Sequence, residues 1–138
     1  MKKILPIFLI LVDACYAHAN GIENFSVKNL RCEMLVDPIG IDATDPRFSW
    51  QFESDQRRFL QVAYQVIVAS SIAKLSNNEG DLWNSGKISD GHSIQVYYKG
   101  KPLQSRQECF WKVKIWTNKK IWFNMEIFKD LKFLFLQI

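Results

Sequence analysis

The chain has 138 residues, of which 48% are hydrophobic and 23% are charged. That length suits one domain, and that balance is ordinary for a chain that buries a core. The formal net charge is +4, and residues 118–138 contribute +2 of it through four lysines against Glu126 and Asp130. The rest of the chain is nearly balanced and has no basic stripe to follow a phosphate backbone, which argues against nucleic acid as a partner.

The first 19 residues have the features of a secretory signal peptide. Two lysines precede an apolar run over residues 4–12, and Ala17-His18-Ala19 supplies an A-x-A cleavage site before Asn20. The apolar run is too short to cross a bilayer, so we expect no membrane span. Cleavage after Ala19 would export the chain to the periplasm, the outer surface or the medium.

Export changes what the three cysteines can do. Cys15 is an alternative lipidation site, but Asp13 directly before Ala14 argues against the small-residue context that such sites need. The mature chain would retain Cys32 and Cys109 in an oxidising compartment, where the two could form a disulfide. They could also remain buried thiols that act as small hydrophobic residues. The sequence leaves both alternatives open.

After the signal peptide, five short runs alternate apolar and polar residues, as half-buried antiparallel strands do. The apolar faces of these runs are Leu30, Cys32 and Met34; Phe48, Trp50 and Phe52; Val62, Tyr64, Val66 and Val68; Ile94, Val96 and Tyr98; and Trp111, Val113 and Ile115. Turn-forming stretches rich in Gly, Pro, Asn and Asp separate the runs. Residues 71–75 follow serines that can cap a helix and predict a single helical turn. The whole pattern predicts an all-β chain folded as an antiparallel β-sandwich.

The aromatic residues divide into core and surface candidates. Trp50 and Trp111 have apolar neighbours two positions away on the same face, which favours packing between two sheets over an exposed platform for sugar stacking. Trp116 falls on the outward face of its run, Trp83 lies among turn formers, and Tyr97 sits opposite an apolar face. These three residues are the candidates for contact with a ligand or a neighbouring domain. Burial at the edge of the sandwich is the alternative for Trp83.

The titratable residues show no catalytic or metal-binding pattern. His92 is the single histidine of the mature chain and stands in an Asp-Gly turn, without a second histidine or a carboxylate pair at metal-ligand spacing. Asp37, Asp42, Asp45 and Glu53 cluster in sequence, but a loop and an outward strand face would expose them to solvent. No nucleophile elbow, phosphate-binding loop or zinc-protease motif is present. We therefore predict no catalytic residue, no cofactor and no metal in this chain.

Several segments, taken in order, resemble one family. They are LRCEMLVDPIGIDATDPRFSWQFESDQR, QVAYQVIVASS, GDLWNSGKI, SIQVYYKGKPLQSR and CFWKVKIWT. Together they are similar to the N-terminal fibronectin type III-like domain of bacterial α-L-rhamnosidases over residues 30–117. The combination of PIGID, PRFSW, LWNSGK and CFWKVKIW carries the resemblance. Arg58-Phe59-Leu60 departs from the family, which more often has a glycine-containing turn there.

The resemblance implies an immunoglobulin- or fibronectin type III-like sandwich in a large secreted enzyme that releases terminal L-rhamnose with inversion. It also implies catalytic carboxylates in an (α/α)₆ barrel far downstream, so it assigns no catalytic residue to this chain. The partners it implies are the missing downstream domains, with a glycan as a further candidate. The implied role is that of a structural or positioning module.

The resemblance read from these motifs ends near Thr117, and residues 118–138 diverge from it. We expect a signal peptide over residues 1–19, a sandwich over residues 20–117 and a divergent tail that can substitute for a last strand. The tail is rich in Phe, Leu, Ile and Lys, which leads to the hypothesis of a truncated or frameshifted rhamnosidase gene. Sequencing the DNA downstream of codon 138 would test this hypothesis.

Three functions remain open on the sequence. The first is an N-terminal accessory domain of a secreted α-L-rhamnosidase that is inactive alone. The second is a stand-alone exported module that binds a glycan or a protein through an aromatic face around Trp116 and Tyr97. The third is an intact small enzyme, which the absence of a catalytic constellation disfavours.

Overall fold

The computed structural model describes residues 25–119 and, as backbone, residues 131–135. The predicted signal peptide lies outside these residues. The elements in chain order are β1 (Phe25–Cys32), β2 (Ile39–Ile41), β3 (Arg47–Ser54), β4 (Gln61–Ala69), α1 (Ile72–Ser76), β5 (Trp83–Asn84), β6 (Val96–Tyr97), β7 (Gln107–Thr117) and β8 (Leu131–Phe135). The Ser71 side chain caps α1 by accepting a hydrogen bond from the backbone N–H of Lys74 at 3.2 Å, which confirms the predicted helical turn. In this part of the chain no helix is long and apolar enough to cross a membrane.

The strands form two sheets. One has three strands in the order β1-β3-β6, and the other has five in the order β2-β8-β7-β4-β5. Neighbouring strands run antiparallel except for β2 and β8, which run parallel. Two mainly antiparallel sheets with one short helix confirm the predicted β-sandwich. Within the five-stranded sheet, β8 lies between β2 and β7. The domain boundaries expected from the sequence stay a prediction.

The core fills the space between the sheets with side chains from alternating strand positions. In the five-stranded sheet, β4 and β7 pair along most of their length and bring Val66 opposite Val113. The ring of Phe48 on β3 lies 4.5 Å from that of Trp111 on β7, measured between centroids, and so links the two sheets. Trp50 and Trp111 are both fully buried, which confirms their predicted place in the core.

Three residues predicted to face the core are exposed instead. Val62 turns outward because the register between β4 and β7 shifts at the start of β4, so only the later part of this run keeps its predicted inward face. Ile94 lies before β6, which begins only at Val96, and so it is not held in a ladder. Met34 is carried away from the core by the turn that follows β1.

The turn after β1 holds two non-glycine residues in the left-handed region. Glu33 has a φ of 49° and Met34 a φ of 65°, values that two-residue hairpin turns need and that Asn and Gly adopt most easily. Cys32 and Leu35 close the turn with two backbone hydrogen bonds of 2.9 Å. The Glu33 carboxylate accepts hydrogen bonds from the Arg47 side chain at 2.9 and 3.2 Å and from its backbone N–H at 2.6 Å. The side-chain bonds lower the pKa of Glu33, and the three together hold the turn against β3.

The contact between Trp111 and Phe48 gives a test of the core. Trp111→Ala would remove a fully buried side chain that joins the two sheets, so we expect the free energy of unfolding to fall by about 3–5 kcal/mol. Chemical denaturation followed by circular dichroism would measure the change. Val62→Ala is the matched control, because the exposed Val62 should change stability by less than about 0.5 kcal/mol. Equal effects of the two substitutions would contradict the burial pattern.

Candidate functional site

A groove about 320 Å³ in volume opens where the chain crosses from one sheet to the other. The segment between β5 and β6 is tied to β4 by two backbone hydrogen bonds between Tyr64 and Ile88, of 3.0 and 2.8 Å. It is then tied to β3, because the backbone N–H of Trp50 donates to the carbonyl of Ser93 at 2.9 Å. The residues that line the groove are Tyr64, Trp83, Ile88, Asp90, His92, Ile94, Gln95, Val96, Tyr97 and Lys99.

Two of the three predicted contact residues, Trp83 and Tyr97, line this groove together. The third, Trp116, does not line it. Its ring lies against two ammonium groups, with Nζ of Lys87 at 4.8 Å and Nζ of Lys114 at 5.1 Å from the ring centroid. The structure therefore groups Tyr97 with Trp83 and places Trp116 beside lysines.

The indole of Trp83 is fixed on two sides. Its ring stacks on that of Phe48 with centroids 6.2 Å apart, and the Tyr98 ring packs edge-on against it at 5.5 Å. The Tyr98 hydroxyl lies 2.6 Å from the carbonyl oxygen of Lys101 and 3.2 Å from that of Leu82, so this ring is fixed in turn. Trp83 is half-buried at the edge of the core, and the rest of its surface faces the groove.

Asp81 anchors the loop between α1 and β5. Its carboxylate accepts hydrogen bonds from the backbone N–H of Ser70 at 2.9 Å and from the Ser70 hydroxyl at 2.6 Å, and it forms an ion pair of 3.0 Å with Nζ of Lys74. Burial raises the pKa of Asp81, but the hydrogen bonds from Ser70 and Lys74 outweigh it and lower this pKa to about 2. The ionised carboxylate thereby fixes the start of β5 and the position of Trp83.

Polar groups share the groove with its aromatic residues. Oδ1 of Asp90 accepts a hydrogen bond from the backbone N–H of His92 at 2.9 Å and lies 2.5 Å from its ring Nδ1. The backbone N–H and then the ring of His92 lower the pKa of Asp90. Burial raises the pKa of the Tyr64 phenol, and the charge of Asp90 raises it further. The Asp90 carboxylate and the Tyr64 phenol therefore lie close enough to interact, and both residues line the same groove.

A second, smaller depression of about 240 Å³ lies on the outer face of the five-stranded sheet. Its lining includes Gln65, Lys112 and Lys114. Lys112 is only 4% exposed, and its ammonium group donates a hydrogen bond to Oδ1 of Asn78. Since Asn78 follows the end of α1, this contact ties the helix to β7. We assign the buried lysine a structural role.

Cys32 and Cys109 are buried free thiols in one core cluster. Burial raises the pKa of both, that of Cys109 to about 12, so both are protonated at neutral pH. The disulfide between them stays a prediction. Across residues 25–119 and 131–135, no group of three His, Cys, Asp or Glu side chains is placed to hold a metal ion.

Comparison with known proteins places this sandwich in a family. A family model described as the Rha78A-like, N-terminal immunoglobulin domain matches residues 27–128. The chain belongs to this family. The match begins in β1 and extends past Thr117, where the resemblance read from motifs ends. The fold and the family predicted from the sequence are both confirmed.

Relatives of this immunoglobulin-like domain include several α-L-rhamnosidases. One from Formosa agariphila is 46% identical over 85 residues, which are 62% of this chain and 9% of that protein. The structure of α-L-rhamnosidase from Dictyoglumus thermophilum superposes with a TM-score of 0.73 and 33% identity, covering 82% of this chain and 12% of that one. The Streptomyces avermitilis α-L-rhamnosidase complexed with L-rhamnose gives a TM-score of 0.70 and 34% identity over 82% of this chain and 11% of that one. The domain spans about a tenth of the length of these relatives.

The sequence predicted Trp83 and Tyr97 as contact residues, and both line the groove, but it did not predict the contribution of Tyr64. Alternation assigned Tyr64 to the core, and Tyr64 is indeed buried, yet its side chain also lines the groove. The sequence places Asp90 and His92 in a turn and gives His92 no partner for a metal site, but it does not show that they lie beside Tyr97. The usable signal was their position directly before the run that contains Tyr97, because a turn next to a strand end brings polar groups to its aromatic residues.

The Asp81 anchor predicts a pH dependence of the domain's stability. Because the folded pKa of about 2 lies below the ordinary aspartate pKa of 3.8, this carboxylate stabilises the fold above pH 4, and the contribution is lost as the pH falls towards 2. Asp81→Asn should lower the free energy of unfolding by roughly 1–2 kcal/mol at pH 7, allowing for solvent screening, and by much less at pH 2.

Urea denaturation of both proteins across this pH range would measure the difference. The exposed Asp42 gives the control Asp42→Asn, which should follow the unsubstituted protein at every pH. A stability difference that stays constant from pH 7 to pH 2 would show that the Asp81 charge is not responsible.

Proposed function

We propose that this chain acts as the N-terminal accessory module of a secreted α-L-rhamnosidase and supports the catalytic portion without taking part in the chemical step. The observation that carries the proposal is the family match over residues 27–128, together with relatives in which the matched segment is about a tenth of the protein. In such relatives the other nine tenths offer the room for a sugar-cleaving site.

The carboxylates of the domain support a role outside catalysis. Glycoside hydrolysis generally needs two carboxyl groups that face each other across the scissile bond. Four of the described carboxylates are each paired with a different basic side chain: Glu33 with Arg47, Glu53 with Lys28, Asp81 with Lys74 and Asp90 with His92. These contacts lower the pKa of Glu33, Asp81 and Asp90 and engage each carboxylate with its own partner, which suits turn and loop anchoring better than paired acid and base chemistry.

The partners in this proposal are the other domains of the parent enzyme. The segment from the turn after β1 to the start of β2 presents four apolar side chains that are more than half exposed, namely Met34, Leu35, Val36 and Ile39. Several exposed apolar side chains on one short segment are typical of a surface that packs against another protein surface. Its rigid support by Glu33 and Arg47 suits a contact between fixed domains.

The accessory role predicts that the chain alone does not hydrolyse rhamnosides. The purified 138-residue protein, incubated with an aryl α-L-rhamnoside, should release no more aryl alcohol than buffer does. The Streptomyces avermitilis α-L-rhamnosidase under the same conditions serves as the positive control. Release that increases with the concentration of this chain and disappears in Asp90→Asn would overturn the proposal.

Secretion is the second part of the proposal and rests on the leader-like residues 1–19. Expressed in a Gram-negative host, the protein should reach the periplasm with Asn20 as its first residue, as intact-mass spectrometry would show. Ala19→Arg should block cleavage, because the position before the cut needs a small side chain, whereas His18→Gln should leave cleavage unchanged. A cytoplasmic chain that begins at Met1, or a lipid-modified chain that begins at Cys15, would contradict the prediction.

A further inference from the structure

We propose that the groove between Trp83 and Tyr97, with Tyr64 in its floor, is a binding site for a neutral saccharide. The proposal does not depend on the chain being part of an enzyme. It rests on the hydroxyl of the buried residue Tyr64, which has no partner in the described part of the chain, on the polar and aromatic groups around it, and on the charge and size of the groove.

Tyr64 as a whole residue is only 7% exposed, and it lines the groove. Its backbone is locked by the two hydrogen bonds to Ile88, and its ring packs edge-on against Trp50 at 5.2 Å. The side chain therefore cannot swing out into solvent. Among residues 25–119 and the backbone of residues 131–135, the phenol oxygen has no hydrogen-bond partner, although polar groups of buried residues normally have one. A ligand hydroxyl in the groove would supply it.

A second open polar group faces the same space. Asp90 uses Oδ1 for both of its contacts with His92, while its Oδ2 accepts no hydrogen bond within the described part of the chain. The His92 side chain is itself 82% exposed and retains Nε2 for a ligand. A phenol, a carboxylate oxygen and an imidazole nitrogen on one groove match the several hydroxyl groups that a sugar ring carries.

The apolar part of the groove fits the other face of a sugar. Tyr97 is 46% exposed and Ile94 is 62% exposed, so both offer apolar surface that the fold leaves uncovered. Trp83 adds a rigid aromatic wall because Phe48 and Tyr98 hold its ring. Between Ile94 and Val96, Gln95 has a φ of 57°, in the left-handed region that residues other than glycine seldom adopt.

The charge and the size of the groove select the ligand class. Asp90 and Lys99 balance each other when His92 is neutral, so neither an anion nor a cation is favoured. A volume of about 320 Å³ lies at the lower end of the range for small-molecule sites, which is about 300–1,000 Å³. It accommodates one or two sugar rings rather than a long chain. The class is therefore a neutral mono- or disaccharide unit.

The test is an NMR titration of the ¹⁵N-labelled full chain with methyl α-L-rhamnopyranoside, with methyl β-D-glucopyranoside and glucuronate as comparison ligands. We expect saturable shifts with at least one of the two neutral glycosides, confined to Tyr64, Trp83 and residues 90–99. Tyr97→Ala should abolish them, and Trp116→Ala should leave them unchanged because Trp116 is outside the groove. Saturation by glucuronate but by neither glycoside, or no saturable shift at all, would overturn the proposal.

A pair of matched variants keeps the proposal testable if binding is weak. Tyr64→Phe removes the unpaired hydroxyl, so it should weaken binding about three- to tenfold while the melting temperature stays the same or rises. Tyr98→Phe removes a hydroxyl that is hydrogen-bonded to backbone carbonyls, so it should lower the melting temperature. A fall in melting temperature for Tyr64→Phe as large as that for Tyr98→Phe would mean that the Tyr64 hydroxyl is satisfied inside the fold, and the proposal would fail.

These results are separate from those that test the accessory role. The titration measures binding and uses no enzyme activity, so loss of the saccharide site would leave the assignment as an accessory domain intact. Hydrolysis of a rhamnoside by the chain would overturn the accessory role without changing the shifts expected in the groove.

Discussion

The ladder between β4 and β7 is the constraint on which the rest of the structure depends. It sets which side chains of the five-stranded sheet face inward, and so it places Trp111 against Phe48 across the sandwich. The same ladder seats β5 on one side and β8 on the other, which fixes the position of Trp83. One pairing thus determines the core and one wall of the groove. A slip by one residue would turn the valines outward and dismantle both.

The sequence predicted the fold well where one periodicity dominates. Period-2 alternation identified β3, β4 and β7, and the serines before residue 72 identified α1. The same alternation wrongly predicted three core-facing residues where local structure interrupts the strand: a register shift at Val62, a left-handed turn at Met34 and a loop at Ile94. Segment motifs identified the family more directly, since LWNSGK and CFWKVKIW combine turn and strand chemistry in a fixed order.

The candidate site was predictable only in part. Exposure of Tyr97 and of part of Trp83 follows from strand facing and from turn composition, which a sequence displays. The role of Tyr64 does not follow, because alternation shows that the ring is buried but not whether its hydroxyl finds a partner. Whether Trp116 joins the other aromatic residues is equally hidden, since that depends on the path of the segment between β5 and β6, whose Lys87 lies over the Trp116 ring. Three-dimensional closure of loops decides both questions.

The hairpin turn after β1 limits which substitutions this sequence can accumulate in evolution. Glu33 and Met34 occupy backbone conformations that suit asparagine and glycine better, and the Arg47 side chain compensates for that mismatch. The fitness effect of changing any one of the three residues therefore depends on the other two. A lineage that acquired glycine at the second turn position would be freed to lose the Glu33–Arg47 pair, whereas a lineage that kept methionine must retain it. Local strain of this kind makes distant positions evolve as a unit.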